Sequence, residues 1–93
     1  MIRYKLKYGK PTRPPQSGWG KDGNAYSGFD RLIDSNEEFA RANGYYPLAT
    51  DVVTEGVKTD TAQKFSCWKL ENEKWTRHIR YVDVDVEAVN HEN

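Results

Sequence analysis

The stretch Thr61–Val89, TAQKFSCWKLENEKWTRHIRYVDVDVEAV, decides how the rest of this chain is read. It holds two of the three tryptophans, the only cysteine and the densest run of β-branched residues. Ala62–Leu70 and Trp75–Ala88 are rich in the aromatic and β-branched side chains that suit a pleated, half-buried surface. Between them lies Glu71-Asn72-Glu73-Lys74, polar and centred on an asparagine that tolerates a left-handed backbone. Whether that loop has two residues or four, Leu70 and Trp75 stand opposite each other. Counting outward pairs Trp68 with Arg77, Cys67 with His78 and Ser66 with Ile79. Strand alternation then puts Trp68, Leu70, Trp75, Ile79 and Tyr81 on one face, with Arg77 able to lie over an indole. Beyond Tyr81 the apolar positions change phase, to Val82, Val84 and Val86. A one-residue phase change exchanges the two faces of a strand, so a bulge is expected near Tyr81-Val82.

Working outward, 93 residues make one domain with a single modest core. Lysine plus arginine and aspartate plus glutamate each number 14, so bulk charge favours neither nucleic acid nor membrane as a partner. The distribution says more than the sum. Every charge from Arg3 to Lys21 is positive, and those from Asp83 to Glu92 are all negative. Two readings follow: neighbouring terminal strands whose charges attract, or a basic patch for phosphates set against an acidic partner surface. Cys67 is alone, which rules out an intramolecular disulfide framework. The opening Met1-Ile2-Arg3-Tyr4-Lys5 lacks the apolar core of a signal peptide, and no run approaches transmembrane length. A cytoplasmic place of synthesis is the expectation.

Ile2, Tyr4, Leu6 and Tyr8 alternate with Arg3, Lys5 and Lys7, predicting a first strand with one wet face. Gly9–Gly28 carries Pro11, Pro14 and Pro15 and then Gly18, Gly20, Gly23 and Gly28, which reads as a flexible loop rather than as helix or central strand. Its Trp19 either docks on the core or stands exposed as a contact residue. Phe29–Ile33 reads as a short strand entering a helix. Ser35-Asn36-Glu37-Glu38 has the spelling of a capping box with Ser35 as N-cap, and Asn43-Gly44 closes that helix with a left-handed residue. Val52-Val53 suggests a further short strand, and Glu55–Asp60 a polar turn. Asn90–Asn93 is expected to fray.

No catalytic constellation emerges, and no metal or cofactor is expected. Cys67 facing His78 lacks the further ligands a structural zinc needs, and reads as a buried free thiol beside a partly exposed imidazole. Asp83-Val84-Asp85 spells an acidic D-x-D, yet on a strand both carboxylates take the solvent face. Gly18-Trp19-Gly20-Lys21-Asp22-Gly23 does not match the phosphate-binding loop motif.

From Asp34 onward the order of signals resembles a group of short phage- and prophage-encoded proteins associated with tail genes. The residues that carry it are the capped helix, the step Gly44-Tyr45-Tyr46-Pro47-Leu48 and the terminal hairpin from Trp68 to Tyr81-Val82-Asp83-Val84, with Tyr4-Lys5-Leu6-Lys7 at the start. Gly9–Gly28 has no counterpart in that pattern. The resemblance implies a phage or prophage setting, with virion association as one destination, but no chemical mechanism.

The expected fold is a small α+β domain: an antiparallel sheet of three to five strands built on the Ala62–Ala88 hairpin, with one short helix across it. The leading functional expectation is a non-enzymatic accessory protein acting through protein–protein contact or self-association, at Trp19, Tyr26, Asp83, Asp85 and Glu87. Edge-to-edge pairing of the Asp83–Val89 strand would supply the contact. The alternative is a nucleic-acid-binding module using Arg3, Lys5, Lys7, Lys10, Arg13 and Lys21 with Trp19.

Overall fold

The computed structural model describes residues 1–83. The strand proposed for Asp83–Val89 therefore lies outside the described residues beyond Asp83, and with it Asp85 and Glu87. The fold is α+β, but richer in strands than expected. Its elements run β1 (Lys5–Lys7), β2 (Lys10–Thr12), β3 (Ser17–Trp19), β4 (Ala25–Ser27), α1 (Phe29–Ser35), α2 (Glu37–Ala42), β5 (Leu48–Glu55), β6 (Ala62–Glu71) and β7 (Lys74–Asp83). Among the described residues seven strands form three separate small sheets and there are two helices, where one sheet and one helix were expected.

The N-terminal half folds as a small body. The first strand is short and pairs with β2, turning at Tyr8-Gly9, both with positive φ. Gly9–Gly28 is correspondingly no structureless loop: it supplies β2 and the β3–β4 hairpin. Three-residue strands can hold prolines, because one side of such a ribbon needs no donor. Phe29–Ile33 is helix, not strand, and Phe29 and Ile33 face the core from α1. The core comprises Phe29, Ile33, Ala40 and Tyr45, with Tyr26 and Phe39 packed against it. Phe29 meets Phe39 and Tyr45 edge-on at centroid distances of 5.7 and 5.9 Å, and each such pair adds ~1 kcal/mol beyond its burial.

The cap of α2 is Asn36, not Ser35. Ser35 is spent as the last residue of α1, and the Asn36 side chain accepts from the Phe39 N–H at 3.1 Å. At the other end the helix closes as the sequence indicates. Gly44, at φ 84, lets the Tyr45 N–H reach the Ala40 carbonyl at 2.8 Å and its own N–H the Arg41 carbonyl at 3.1 Å.

The C-terminal half is one three-stranded sheet, ordered β5-β7-β6. The β6–β7 hairpin has the register counted from the sequence, from Leu70 opposite Trp75 out to Ala62 opposite Asp83. Its loop has two residues, Asn72 and Glu73, both at positive φ, the primed turn whose twist suits a hairpin. Pairing continues through Tyr81 and Val82 without a shift, so the expected bulge is not there; the irregularity lies in β5 between Leu48 and Val52. The sheet is also not purely antiparallel, since β5 runs parallel to β7. With β5 and β6 on opposite sides of β7, the connecting residues 56–61 must cross it. Gly56 makes the crossing: its φ is 78, and a Cβ there would lie 2.4 Å from the Tyr81 carbonyl oxygen.

The hairpin's turn is planted on the body, so its open end points away. The Trp75 N–H donates to the Pro47 carbonyl at 2.9 Å, its Nε1–H donates to the Tyr4 carbonyl at 2.8 Å, and its ring stands edge-on to Tyr46. Arg41 of α2 reaches Glu73 in the turn. The described residues measure 59 × 23 × 18 Å with a radius of gyration of 18.4 Å, against roughly 12 Å for a compact chain of this length.

Candidate interaction surface

Strands β6 and β7 have ten residues each, so the sheet extends for about 33 Å. No second layer covers either face among the described residues. Register and alternation put Val52, Trp68, Leu70, Arg77 and Ile79 on one face. On the other are Val53, Phe65, Cys67, His78 and Arg80. Apolar side chains that a covered sheet would bury stay in water: Val52 is 50% exposed, Val53 40% and Phe65 48%. Cys67 is exposed for the same reason, so the thiol is not buried as expected, while the His78 imidazole beside it is partly exposed.

Some polar groups of this sheet find partners on it. The Arg80 guanidinium lies over the Phe65 ring at 5.6 Å; this is the hairpin's cation–π contact, in place of Arg77 over an indole. The His78 ring nitrogen Nε2 and Glu71 Oε1 are 2.7 Å apart, across one position of the hairpin. Around them Glu55, Phe65, Cys67, Lys69, His78 and Arg80 line a shallow concavity of about 300 Å³. Both outer strands, β5 and β6, have an unpaired edge among the described residues. Asp83, expected as a contact residue, ends β7 at the far end of the sheet and accepts from the Thr61 hydroxyl at 2.9 Å.

The N-terminal residues divide differently from the expectation. Arg3 is buried, 8% exposed, with its Nη1 donating to the Ile33 and Asp34 carbonyls at 2.8 and 2.9 Å. Arg13 forms a two-pronged pair with Asp34, at 2.8 and 2.5 Å, and also donates to the Arg3 carbonyl. That pair holds the Asp34 carboxyl below the usual carboxylate range. Tyr26 packs on the core and donates its hydroxyl to Asp22, which lowers the Asp22 pKa and raises that of the phenol. These three side chains serve the fold.

Lys5, Lys7, Lys10, Lys21 and Trp19 remain outside. Lys7 stands directly opposite Lys10 in the β1–β2 ribbon, two residues from Lys5, so three ammonium groups share one face. Lys5 also lines a concavity of about 460 Å³ with Trp19, Lys21 and Arg41. It is held together by the Lys21 N–H donating to Asn43 Oδ1 at 2.7 Å. Trp19 is 74% exposed, so it does not dock on the core. None of these four lysines pairs with a carboxylate among the described residues, whereas Arg41 is committed to Glu37 and Glu73.

What the sequence did not reveal is the bareness of the sheet. The signal was present in Val52, Val53, Phe65 and Leu70, which outnumber what a core of four residues can absorb. Among the described residues no group of three or more metal-ligating side chains converges, and no helix is long and apolar enough to cross a membrane. The chain matches no protein-family model, no curated protein and no solved structure.

Proposed function

We propose that this chain is a non-enzymatic accessory protein that works by protein–protein contact through its projecting sheet, in the phage or prophage setting that its resemblance to tail-associated proteins implies. The single observation that carries this reading is a ten-residue-long sheet exposed on both faces and along both edges among the described residues. Unpaired strand edges are templates for another chain, and soluble proteins normally blunt or cover them. Contiguous exposed apolar surface has the same meaning. Strand addition satisfies the open backbone groups and covers the apolar side chains in one step. Amide exchange tests the reading. In dilute protein the outward amides of β5 and β6 should exchange far faster than those of Ile33 and Ala40. Slow exchange along both edges at every concentration would mean that the chain covers them itself, and the reading would fail.

A second reading, single-stranded nucleic-acid binding, is favoured by one specific arrangement. Lys5 and Lys21 line a concavity with the exposed Trp19, and Lys7 and Lys10 share the ribbon face of Lys5. None of the four pairs with a carboxylate among the described residues. Lysines directly opposite each other repel, and a polyanion would relieve that. Four phosphate contacts give a slope of about −3 in log affinity against log salt for a single strand, and Trp19→Ala would remove about 1–3 kcal/mol of base stacking. Binding that ignores salt or survives Trp19→Ala would eliminate it.

A further inference from the structure

Resting on the sheet-contact reading above, we infer that the partner of this sheet is a second copy of the chain, joined head-to-tail with β5 of one copy paired antiparallel to β6 of the next. The two edges left open among the described residues differ in charge. On β5 the charged residues are Asp51 and Glu55, both acidic. On β6 they are Lys64, Lys69 and Glu71, and Glu71 is already engaged by His78. One edge is therefore acidic and the other offers lysines.

The registers align as well. Val52 lies in line with Arg77, which lies in line with Trp68. Val53 lies in line with His78 and Cys67, and Thr54 with Ile79 and Ser66. A neighbouring copy set beside the first in the same orientation, at the same level, brings its β6 antiparallel to this β5. Val52 then faces Trp68 of the neighbour, Val53 faces Cys67 and Thr54 faces Ser66. Each pair shares a sheet face, because a side-by-side copy keeps the faces matched. Asp51, the residue before Val52 at the margin of the β5 irregularity, comes near the level of Lys69, the residue beyond Trp68. Opposite charges directly across a ladder stabilise it, and like charges destabilise it.

Such a contact uses two different surfaces of the same chain, so it repeats. It yields a ring where the rotation between copies closes, and a filament where it does not. An edge pairing with itself would join acid to acid on β5 or lysine-bearing strand to lysine-bearing strand on β6. The head-to-tail arrangement avoids both.

The test is light scattering on a sizing column with two charge reversals. The unaltered chain should elute above the monomer mass, rising with concentration. Asp51→Lys alone sets lysine against Lys69, and Lys69→Asp alone sets aspartate against Asp51. Each should weaken self-association by roughly ten- to a hundredfold. An equimolar mixture of the two variants restores an opposite pair at every junction and should regain the full assembly, as should the chain carrying both changes. Both positions are exposed, and far-UV circular dichroism checks that each variant folds. Single variants that assemble normally, or a mixture that stays monomeric, would overturn the inference. A monomeric unaltered chain would overturn it too. Amide exchange then separates the cases: fast-exchanging edges leave the sheet-contact reading standing with a different partner, and protected edges remove both.

Discussion

Trp75 ties the sheet to the body through its backbone N–H, its indole N–H and its ring face. The Tyr4 carbonyl that receives the indole also accepts from the Tyr46 N–H at 2.8 Å, so losing the indole bond leaves no orphaned acceptor. Trp75→Phe should therefore cost only about 1 kcal/mol in urea denaturation. Trp75→Ala, which also empties the ring's place, should cost about 2 kcal/mol or more. Asp34 makes a different kind of prediction. Its carboxyl is held below the ordinary value of 3.8, first by the hydrogen bond from Arg13. Its contribution to stability is thus complete above the unfolded value and is lost as pH falls through the folded one. Urea midpoints of the native chain should drop as the pH falls below the ordinary carboxylate value of 3.8, and Asp34→Asn should flatten that part of the profile. An identical acid limb in the variant would mean the Arg13 pair has no role in stability.

At the scale of elements, the cap of α2 separates two adjacent residues of similar chemistry. Asn36→Ala should destabilise by about 1 kcal/mol, since the Phe39 N–H loses its acceptor. Ser35→Ala, at the end of α1, should change little, which is the reverse of what the capping-box spelling suggests. Gly56→Ala should be worse than either, because it adds a clash with the Tyr81 carbonyl to an unfavourable φ. Equal melting temperatures for Gly56→Ala and the native chain would contradict the crossing. These elements also show what the sequence could and could not convey. The β6–β7 register was legible, because a short polar loop and strict alternation fix it locally. The parallel β5 was not, since Val52-Val53 carries no sign of its partner and the pairing depends on a crossing that begins only at Gly56. The β1–β2 and β3–β4 ribbons hide behind prolines and glycines, which mark turns without saying whether strands lie between them. Of the site, Trp19 and the lysines could be named from composition, but Arg3 and Arg13 look like the lysines on paper. Only burial takes Arg3 off the surface, and only the nearby Asp34 engages Arg13, which stays exposed.

At the scale of the molecule the decisive feature, among the described residues, is a core of four buried apolar residues at one end and a bare sheet at the other. The chain spends its hydrophobic residues on two tasks, closing the body and furnishing the sheet. The most direct measurement of the central claim, that the sheet stands uncovered until another chain reaches it, is small-angle X-ray scattering over a dilution series. The expected result is a dilute-limit radius of gyration near 18.4 Å, growing as concentration brings copies together. A value near 12 Å, constant across the series, would mean that the sheet is packed against the body, and would contradict the claim.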